Sequence, residues 1–152
     1  MIILGASGDL TKRKLMPALY SLYREKRLTG EFSILGIGRT VYSDDNYRSY
    51  ILEELQLFVK SEEQDTALMA SFVSHLYYLP MDPAKEEGYP QLRQRLVELT
   101  NEVDPDNLLF YLATPPSLYG VVPLYLKAAG LNTPHSVSYT HLRAHETDSY
   151  LV

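Results

Sequence analysis

Short apolar runs alternate along the chain with longer segments in which apolar residues recur every three or four positions. The runs of β type fall at 2–4, 33–38, 76–80 and 108–113. Helical periodicity follows the first run through Leu15, Ala18, Leu19 and Leu22, and returns at 44–60, 62–75, 90–103 and 115–130. Because strands alternate with segments long enough for crossover helices, the pattern predicts an α/β fold with parallel strand pairing.

Residues that start or stop helices refine these boundaries. Pro17 predicts that the first helix kinks or begins just before it, and Pro123 predicts a kink or break in the last helix. Ser43 or Asp44 is a suitable N-cap, and Gly130 stands where a glycine cap belongs. A complete dinucleotide-binding sheet has about six strands. We therefore expect an incomplete doubly wound, Rossmann-like, mostly parallel sheet with flanking helices, from a chain clipped at both ends.

The segment from Ser136 to Val152, SVSYTHLRAHETDSYLV, shows no turn chemistry and no strand or helix period. The residues from Val137 to Thr147 can be encoded by a sequence resembling a transposase adapter used to make sequencing libraries, and Tyr150 to Val152 fit the bases that follow its variable index. We therefore expect one domain at 1–135, and at 136–152 an adapter-derived tail that is not a domain. His141, His145 and Glu146 have a spacing that on a genuine helix would suggest a metal site, but the predicted origin of the tail removes that hypothesis.

Composition narrows the class of protein. With 45% hydrophobic and 22% charged residues, the 152 residues have the composition of one globular domain. The absence of cysteine excludes disulfides and thiolate chemistry, and a net charge of -5 argues against nucleic-acid binding. No apolar run is long enough to span a membrane, and the first residues do not resemble a secretory signal. We expect a cytoplasmic protein with no membrane or nucleic-acid partner.

Gly5 and Gly8 frame the turn between the first strand and the first helix. A missing Cβ there lets backbone N–H groups approach a pyrophosphate at the positive end of the helix. Alone the pattern is weak, since short-chain reductases, epimerases and structural turns share it. Thr11, at the third small position of the usual fingerprint, is not ideal for close helix packing. Arg39 and Thr40 stand where NAD-specific folds place an acid, and arginine matches the 2′-phosphate of NADP.

The run GASGDLTKRKLMPALYSLY, Gly5 to Tyr23, resembles the signature of the glucose-6-phosphate dehydrogenase family. LGIGRT at 35–40 and FYLATPPSLY at 110–119 fit the same family, so the resemblance covers nearly all of 1–135. It implies that the turn surrounds the cofactor pyrophosphate and that the segment in the fourth strand passes beside the adenosine and nicotinamide ends. With Arg39 and Thr40, the expected cofactor-binding residues are Gly5, Ser7, Gly8, Asp9, Leu10, Tyr111, Ala113, Thr114 and Pro115. Tyr111 is equally compatible with a core position.

The resemblance also indicates what the chain lacks. In the family, a histidine oriented by an acid takes the sugar hydroxyl proton, in a later Arg-Ile-Asp-His-Tyr-Leu-Gly-Lys stretch, and the lysine of a Glu-Lys-Pro turn contacts sugar and cofactor. Neither stretch occurs here, and His75 is expected to be a surface or capping residue. The implied function is the NADP-binding part of an oxidoreductase of the oxidative pentose phosphate pathway, without catalytic residues. The full-length enzyme is expected to bind glucose 6-phosphate and form a homo-oligomer.

Two alternatives stay open. A stand-alone NADP-binding module would reuse the fold without chemistry; a genuine stop codon in an independent copy of the locus would favour it, and continuation into Glu-Lys-Pro would exclude it. A short-chain reductase would need a Tyr-x-x-x-Lys pair after a later strand. None occurs, since Tyr23 is followed four residues later by Arg27 and Tyr119 by Pro123. An unfinished sheet also predicts exposed apolar surface at its edge and poor solubility.

Overall fold

The computed structural model describes residues 1–28, 31–100, 108–131 and 139–141, which form one sheet with helices on both faces. The strands are β1 (Ile2–Leu4), β2 (Ile34–Gly38), β3 (Leu76–Pro80), β4 (Phe110–Leu112) and β5 (Tyr139–His141). The α-helices are α1 (Met16–Arg24), α2 (Asp44–Phe58), α3 (Thr66–Val73), α4 (Tyr89–Thr100) and α5 (Val122–Ala128). The strand order is β3-β2-β1-β4-β5 and each described pair is parallel, so the predicted doubly wound fold class is confirmed.

The sheet separates two apolar cores, because successive residues of a strand point to opposite faces. Ile3 of β1 lies in the core shared with α1, α2 and α3, whereas Ile2 and Leu4 lie in the core shared with α4 and α5. All residues of β1, β2 and β4 are buried. This confirms that the continuous apolar runs mark strands covered on both faces.

The residues expected to start and stop helices do so. The helix α1 begins at Met16 with Pro17 in its first turn, after a π-helical turn at 11–15. The break predicted by Pro123 is confirmed, since α5 begins at Val122, separate from a short 3-10 helix at 116–118. Ser43 caps α2 by accepting a hydrogen bond of 3.1 Å from the N–H of Asn46. Gly130 ends α5 with a φ of 75°, as expected of a glycine cap.

One predicted helix is divided, and another ends in a part of the chain that is not described. The segment expected to be helical over 62–75 forms a short 3-10 helix at 61–63 and then α3, which Asp65 caps through the N–H of Leu68 at 3.1 Å. The capping carboxylate explains the division, because it fixes a new helix start in mid-segment. Positions 101–103 of the predicted fourth helix lie outside the described residues.

The described sheet has one strand more than predicted. Phe110 pairs with Tyr139, and β5 runs parallel to β4 through His141. The expectation of no strand in 136–152 is therefore wrong for 139–141. A parallel partner for an open edge needs backbone groups in an extended conformation and does not require a period of apolar side chains. The adapter origin of the segment and the domain limit at 135 stay predictions, and His145 and Glu146 lie outside the described residues.

Side chains from α2 bind the backbone of β3, which lies at the outer edge of the sheet. The guanidinium of Arg48 donates through Nε to the Leu76 carbonyl oxygen at 2.7 Å, and the N–H of Tyr78 donates to Asp44 Oδ1 at 2.8 Å. Pro80, the last residue of the strand, has no N–H to expose. Backbone groups that would otherwise template pairing with another chain are thus occupied.

An arginine from the opposite face of the sheet completes this arrangement. Arg95 of α4 reaches around β3 to form a salt bridge with Asp44 Oδ2. Both guanidinium groups lie against the ring of Tyr77, whose centroid is 4.8 Å from the guanidinium carbon of Arg48 and 5.9 Å from that of Arg95. We name Asp44, Arg48 and Arg95 the edge clasp, because together they join the helices of both faces across the edge strand β3.

Replacement of Asp44 by alanine is expected to destabilise the chain, because it leaves the Tyr78 N–H without its acceptor and leaves the partly buried Arg95 guanidinium with Glu98 as its remaining partner among the described residues. The expected loss in free energy of unfolding is roughly 2 to 3 kcal/mol, measured by urea denaturation. Asp45→Ala is the matched control. Its side chain is 93% exposed and, in the part of the chain that the structure describes, forms an ion pair only with Arg48, at 3.4 Å, so the loss of stability should stay below about 1 kcal/mol. Equal costs for the two variants would contradict the assigned function of the clasp.

Candidate functional site

A cleft of about 360 Å³ opens at the carboxyl ends of the strands, beside the point where the strand order changes direction between β1 and β4. In open α/β sheets this is where ligands bind. The cleft is lined by loops that follow β1, β2, β3 and β4. These lining residues are Gly5, Ser7, Gly8, Gly38, Arg39, Asp82, Pro83, Ala84, Ala113, Thr114, Pro115, Ser117 and Leu118.

Gly5 allows the turn after β1 to pass directly against the backbone after β4. Its φ is 94°, and a Cβ added there would lie 2.3 Å from the carbonyl oxygen of Ala113. The N–H groups of Gly5 and Ala6 both donate to the Ile37 carbonyl oxygen, at 2.8 and 2.9 Å. The turn is therefore held between β2 and β4, and only glycine fits at its first position.

The turn closes on the Gly5 carbonyl oxygen. The N–H of Gly8 donates to this oxygen at 3.0 Å, and the hydroxyl of Thr11 donates to it at 2.9 Å. Thr11 is fully buried. Threonine at this position therefore closes the turn with a hydrogen bond that glycine or alanine could not form, although a larger side chain is less suited to close helix packing.

Two tyrosines hold the loops from behind. The hydroxyl of Tyr47, in α2, donates to the Ala6 carbonyl oxygen at 2.9 Å, and that of Tyr78, in β3, donates to the Thr40 carbonyl oxygen at 2.6 Å. Their rings stack with centroids 4.6 Å apart. Burial raises the pKa of Tyr47 well above its usual value, with Tyr78 adding to the shift, so the hydroxyl stays a donor. Sequence reasoning assigned no function to the tyrosines, because their spacing resembles that of any core-edge aromatic residue.

Arg39 lies at the cleft directly after β2. Its side chain is exposed, and within the described residues it has neither a hydrogen bond nor an ion pair with a carboxylate. Its guanidinium is therefore available to an anion in the cleft. The acidic residue that an NAD-specific site carries at this position is absent from the loop, which continues as Thr40.

Four of the residues expected at the site do not line the cleft. Asp9 is exposed and binds Arg13 at 2.7 Å, and Leu10 is the cap of the π-helical turn. Thr40 is exposed and contributes its carbonyl oxygen to Tyr78. Tyr111 is 4% exposed and lies in the core beneath α1, α2 and α3. Of the two interpretations of Tyr111, the structure places it in the core.

Some lining residues were missed by sequence reasoning. They are Gly38, Asp82, Pro83, Ala84, Ser117 and Leu118. The available signal was positional, since the loop after β3 must open at the same edge of a parallel sheet as the loops after β1 and β2. Within the described residues, no group of three or more potential ligands is placed to hold a metal ion.

A larger cavity, of about 600 Å³, lies at the opposite, amino edge of the sheet, and none of the expected site residues lines it. His75 is one of the residues that line this cavity. The His75 ring stacks on Phe32 with centroids 4.1 Å apart, and its Nδ1 lies 3.1 Å from the Phe32 carbonyl oxygen. The histidine is thus part of a structural contact far from the carboxyl-edge cleft.

No described helix has the length and apolar character needed to cross a bilayer.

Gly5→Ala is expected to destabilise the chain, because the new methyl group meets backbone atoms and the positive φ is unfavourable for alanine. We expect a loss of roughly 3 kcal/mol or more in free energy of unfolding. Gly120→Ala is the control, since an added Cβ there meets nothing within 4 Å. It should change the unfolding free energy by less than about 1 kcal/mol. A Gly5 variant as stable as the Gly120 variant would contradict the close approach.

The core position of Tyr111 predicts a loss of stability at alkaline pH. Burial, and then the neighbouring Tyr119, raise the pKa of Tyr111 to about 12. The pKa of a tyrosine in the unfolded chain is about 10. The contribution of neutral Tyr111 to the free energy of unfolding is therefore complete below pH 10 and is lost as the pH rises through about 12. Urea denaturation between pH 10 and pH 12 should show that the free energy of unfolding declines less steeply with pH for Tyr111→Phe than for the wild type. Parallel declines would contradict the prediction.

Comparison with known proteins relates this chain to one protein family. Residues 2–141 match the family model described as "Glucose-6-phosphate dehydrogenase, NAD binding domain". Over 133 residues the chain is 45% identical to the glucose-6-phosphate 1-dehydrogenase of Aggregatibacter actinomycetemcomitans, and 35% identical to that of Treponema pallidum. Each alignment covers 87% of this chain and 26% of the relative. The chain therefore spans about a quarter of the length of these curated relatives.

Solved structures show the same arrangement of strands and helices. The glucose-6-phosphate 1-dehydrogenase of Mycobacterium avium aligns with a TM-score of 0.77 at 25% identity, covering 93% of this chain and 29% of that one. A glucose-6-phosphate dehydrogenase in complex with glucose-6-phosphate aligns with a TM-score of 0.72 at 33% identity, with the same coverage of 93% and 29%. The fold and the nucleotide-cofactor domain are thus those expected from the resemblance.

Proposed function

This chain belongs to the glucose-6-phosphate dehydrogenase family, as its NAD-binding domain, and we propose that its cleft binds NADP. The observation that supports the choice of NADP is the guanidinium of Arg39 directly after β2, which has no ion-pair partner among the described residues. A guanidinium forms charge-assisted hydrogen bonds with a phosphate, which NADP carries at the 2′ position and NAD does not. A carboxylate at the same position would instead select the free 2′-hydroxyl.

The cleft residues fit such a cofactor. The turn from Gly5 to Gly8 lines the cleft and leads into the first helical segment, whose dipole favours a pyrophosphate at its amino end. The Thr114 hydroxyl is buried without a hydrogen-bond partner among the described residues. A buried hydroxyl without a partner is costly, and a ligand that turns it into a hydrogen bond would remove this cost. When bound, the cofactor supplies the hydride acceptor, while the chain contributes binding and orientation.

We propose that the full-length enzyme oxidises glucose 6-phosphate to 6-phosphogluconolactone with formation of NADPH, at the start of the oxidative pentose phosphate pathway. This activity would need a base to take the sugar hydroxyl proton. Within the described cleft the side chains are hydroxyl, apolar, arginine and a single carboxylate, and the structural His75 lies at the other edge. The present chain would then supply cofactor binding by residues 1–135, with 136–152 as an appended tail.

Arg39→Ala is expected to weaken binding of NADP⁺ by roughly 10- to 100-fold, because a charge-assisted contact with the 2′-phosphate is lost. Binding of NAD⁺ should change by less than about threefold, since it has no phosphate at that position. Isothermal titration calorimetry measures both constants. The control is Arg27→Ala, which removes an exposed arginine outside the cleft that pairs with Glu25. A uniform loss of affinity for both cofactors would contradict the assignment of Arg39.

Purified 1–152 is expected to form no NADPH from glucose 6-phosphate, because no histidine is among the described residues that line the cleft and the chain does not contain the stretch to which the resemblance assigns the base. Absorbance at the wavelength of NADPH follows the reaction, and a full-length relative provides the positive control. The same preparation should bind NADP⁺ by calorimetry, which separates inactivity from misfolding. Turnover above the blank would refute the proposal that this chain contributes binding alone.

A further inference from the structure

Arg39 enters the cleft from a loop whose backbone is held on both sides of this residue. The carbonyl oxygen of Gly38, before it, accepts a hydrogen bond of 2.8 Å from the N–H of Met81. The carbonyl oxygen of Thr40, after it, accepts a hydrogen bond of 2.6 Å from the hydroxyl of Tyr78. Within the described residues the Arg39 side chain forms no ion pair. The loop backbone, held by these two contacts, therefore sets the position of its guanidinium.

The two contacts differ in what they require of the sequence. A main-chain N–H supplies the first, so any residue other than proline at position 81 could form it. The second requires a side-chain hydroxyl that reaches the Thr40 carbonyl oxygen from β3, and Tyr78 supplies it. Removal of this hydroxyl would release the loop on one side of Arg39 and leave the other side held. Tyr78 itself is not among the residues that line the cleft.

The ring of Tyr78 is held independently of its hydroxyl. The residue is 3% exposed, its ring stacks on that of Tyr47 with centroids 4.6 Å apart, and Tyr42 meets it edge-on at 5.3 Å. Burial raises the pKa of Tyr78, and the nearby Ser7 side chain opposes this rise, so the hydroxyl is protonated and can donate at neutral pH. A phenylalanine at position 78 would keep the ring contacts and lose the donor alone.

Gly38 leaves the space in which this hydroxyl reaches the loop. A Cβ added at Gly38 would lie 2.7 Å from the Tyr78 hydroxyl oxygen and 2.6 Å from Ser7 Oγ. The Tyr78 hydroxyl thus lies at the end of β2, between the loop that carries Arg39 and the turn after β1. A side chain at position 38 would displace it from the Thr40 carbonyl oxygen.

We propose that Tyr78 is a positioning residue, which holds the Arg39 loop in the conformation that binds the 2′-phosphate and so favours NADP over NAD without contacting the cofactor. The inference rests on the proposed binding of NADP. A loop that is not held in advance must be ordered when the ligand binds, and this cost lowers the affinity. The cost falls on NADP alone, because NAD has no phosphate for Arg39 to bind.

The test compares the binding of NADP⁺ and NAD⁺ to Tyr78→Phe and to the wild type, by isothermal titration calorimetry on the full 152-residue chain. Loss of the hydroxyl should weaken NADP⁺ binding roughly 3- to 10-fold. Binding of NAD⁺ should change by less than about twofold. In an Arg39→Ala background the same substitution should have no further effect on NADP⁺, since the loop then carries no guanidinium to position.

Gly38→Ala reaches the same hydroxyl without changing Tyr78, because the added Cβ displaces it. This variant should also lower the ratio of NADP⁺ affinity to NAD⁺ affinity. Tyr20→Phe is the matched control, since the Tyr20 hydroxyl also donates to a backbone carbonyl oxygen, that of Glu63, at 3.0 Å and outside the cleft. It should keep the wild-type ratio, although it too loses a hydrogen bond of the fold.

An unchanged affinity ratio in either Tyr78→Phe or Gly38→Ala would overturn the inference and leave NADP binding intact. An equal further loss when Tyr78→Phe is combined with Arg39→Ala would do the same, because Tyr78 would then not act through Arg39. A wild type that binds neither cofactor would overturn the proposed function, and this inference with it.

Discussion

The turn that leaves β1 lies so close to the backbone that leaves β4 that a methyl group on Gly5 would lie 2.3 Å from the Ala113 carbonyl oxygen. This contact joins the two halves of the sheet at the point where the strand order changes direction. A larger residue would push the loops apart, and the cleft residues from β1 and β4 would no longer share one wall. The short β1 depends on it especially, because the turn must obtain its remaining hydrogen bonds from Ile37 of β2.

Helix α2 arranges the other side of the site. Asp44, Tyr47 and Arg48 stand at i, i+3 and i+4, so their side chains leave the same face of the helix. They bind backbone groups of Tyr78, Ala6 and Leu76, respectively. One helix face therefore fixes the turn after β1 and occupies backbone groups of the edge strand β3 at the same time. Changes at this face should be felt both in stability and in the geometry of the cleft.

Much of the fold could be predicted from local pattern. Burial on both faces gives a continuous apolar strand such as β2, and Pro17, Pro123 and Gly130 act on the backbone of their own helices. The strand β5 could not be predicted in this way, because its pairing is a property of the open edge of β4.

The placement of Gly5 and Arg39 at the cleft was predictable, because Gly5 is needed for its backbone conformation and Arg39 directly follows an apolar strand. The site was not predictable where the interaction joins distant segments. The partner of the Tyr47 hydroxyl is 41 residues away, and that of Tyr78 is 38 residues away. Asp82 joins the cleft only because the register of β2 and β3 brings Met81 to Gly38. Such contacts depend on strand register, which a single sequence does not specify by pattern alone.

We propose that the carboxyl-edge cleft, and not the larger cavity at the amino edge, holds the cofactor. Hydrogen exchange measured by mass spectrometry, with and without NADP⁺, tests it directly. We predict slower exchange in peptides that contain 5–8, 38–40 and 113–117, with no change in peptides that contain 31–35 and 75, which border the amino-edge cavity. Protection confined to the amino-edge peptides would contradict binding of the cofactor in the carboxyl-edge cleft.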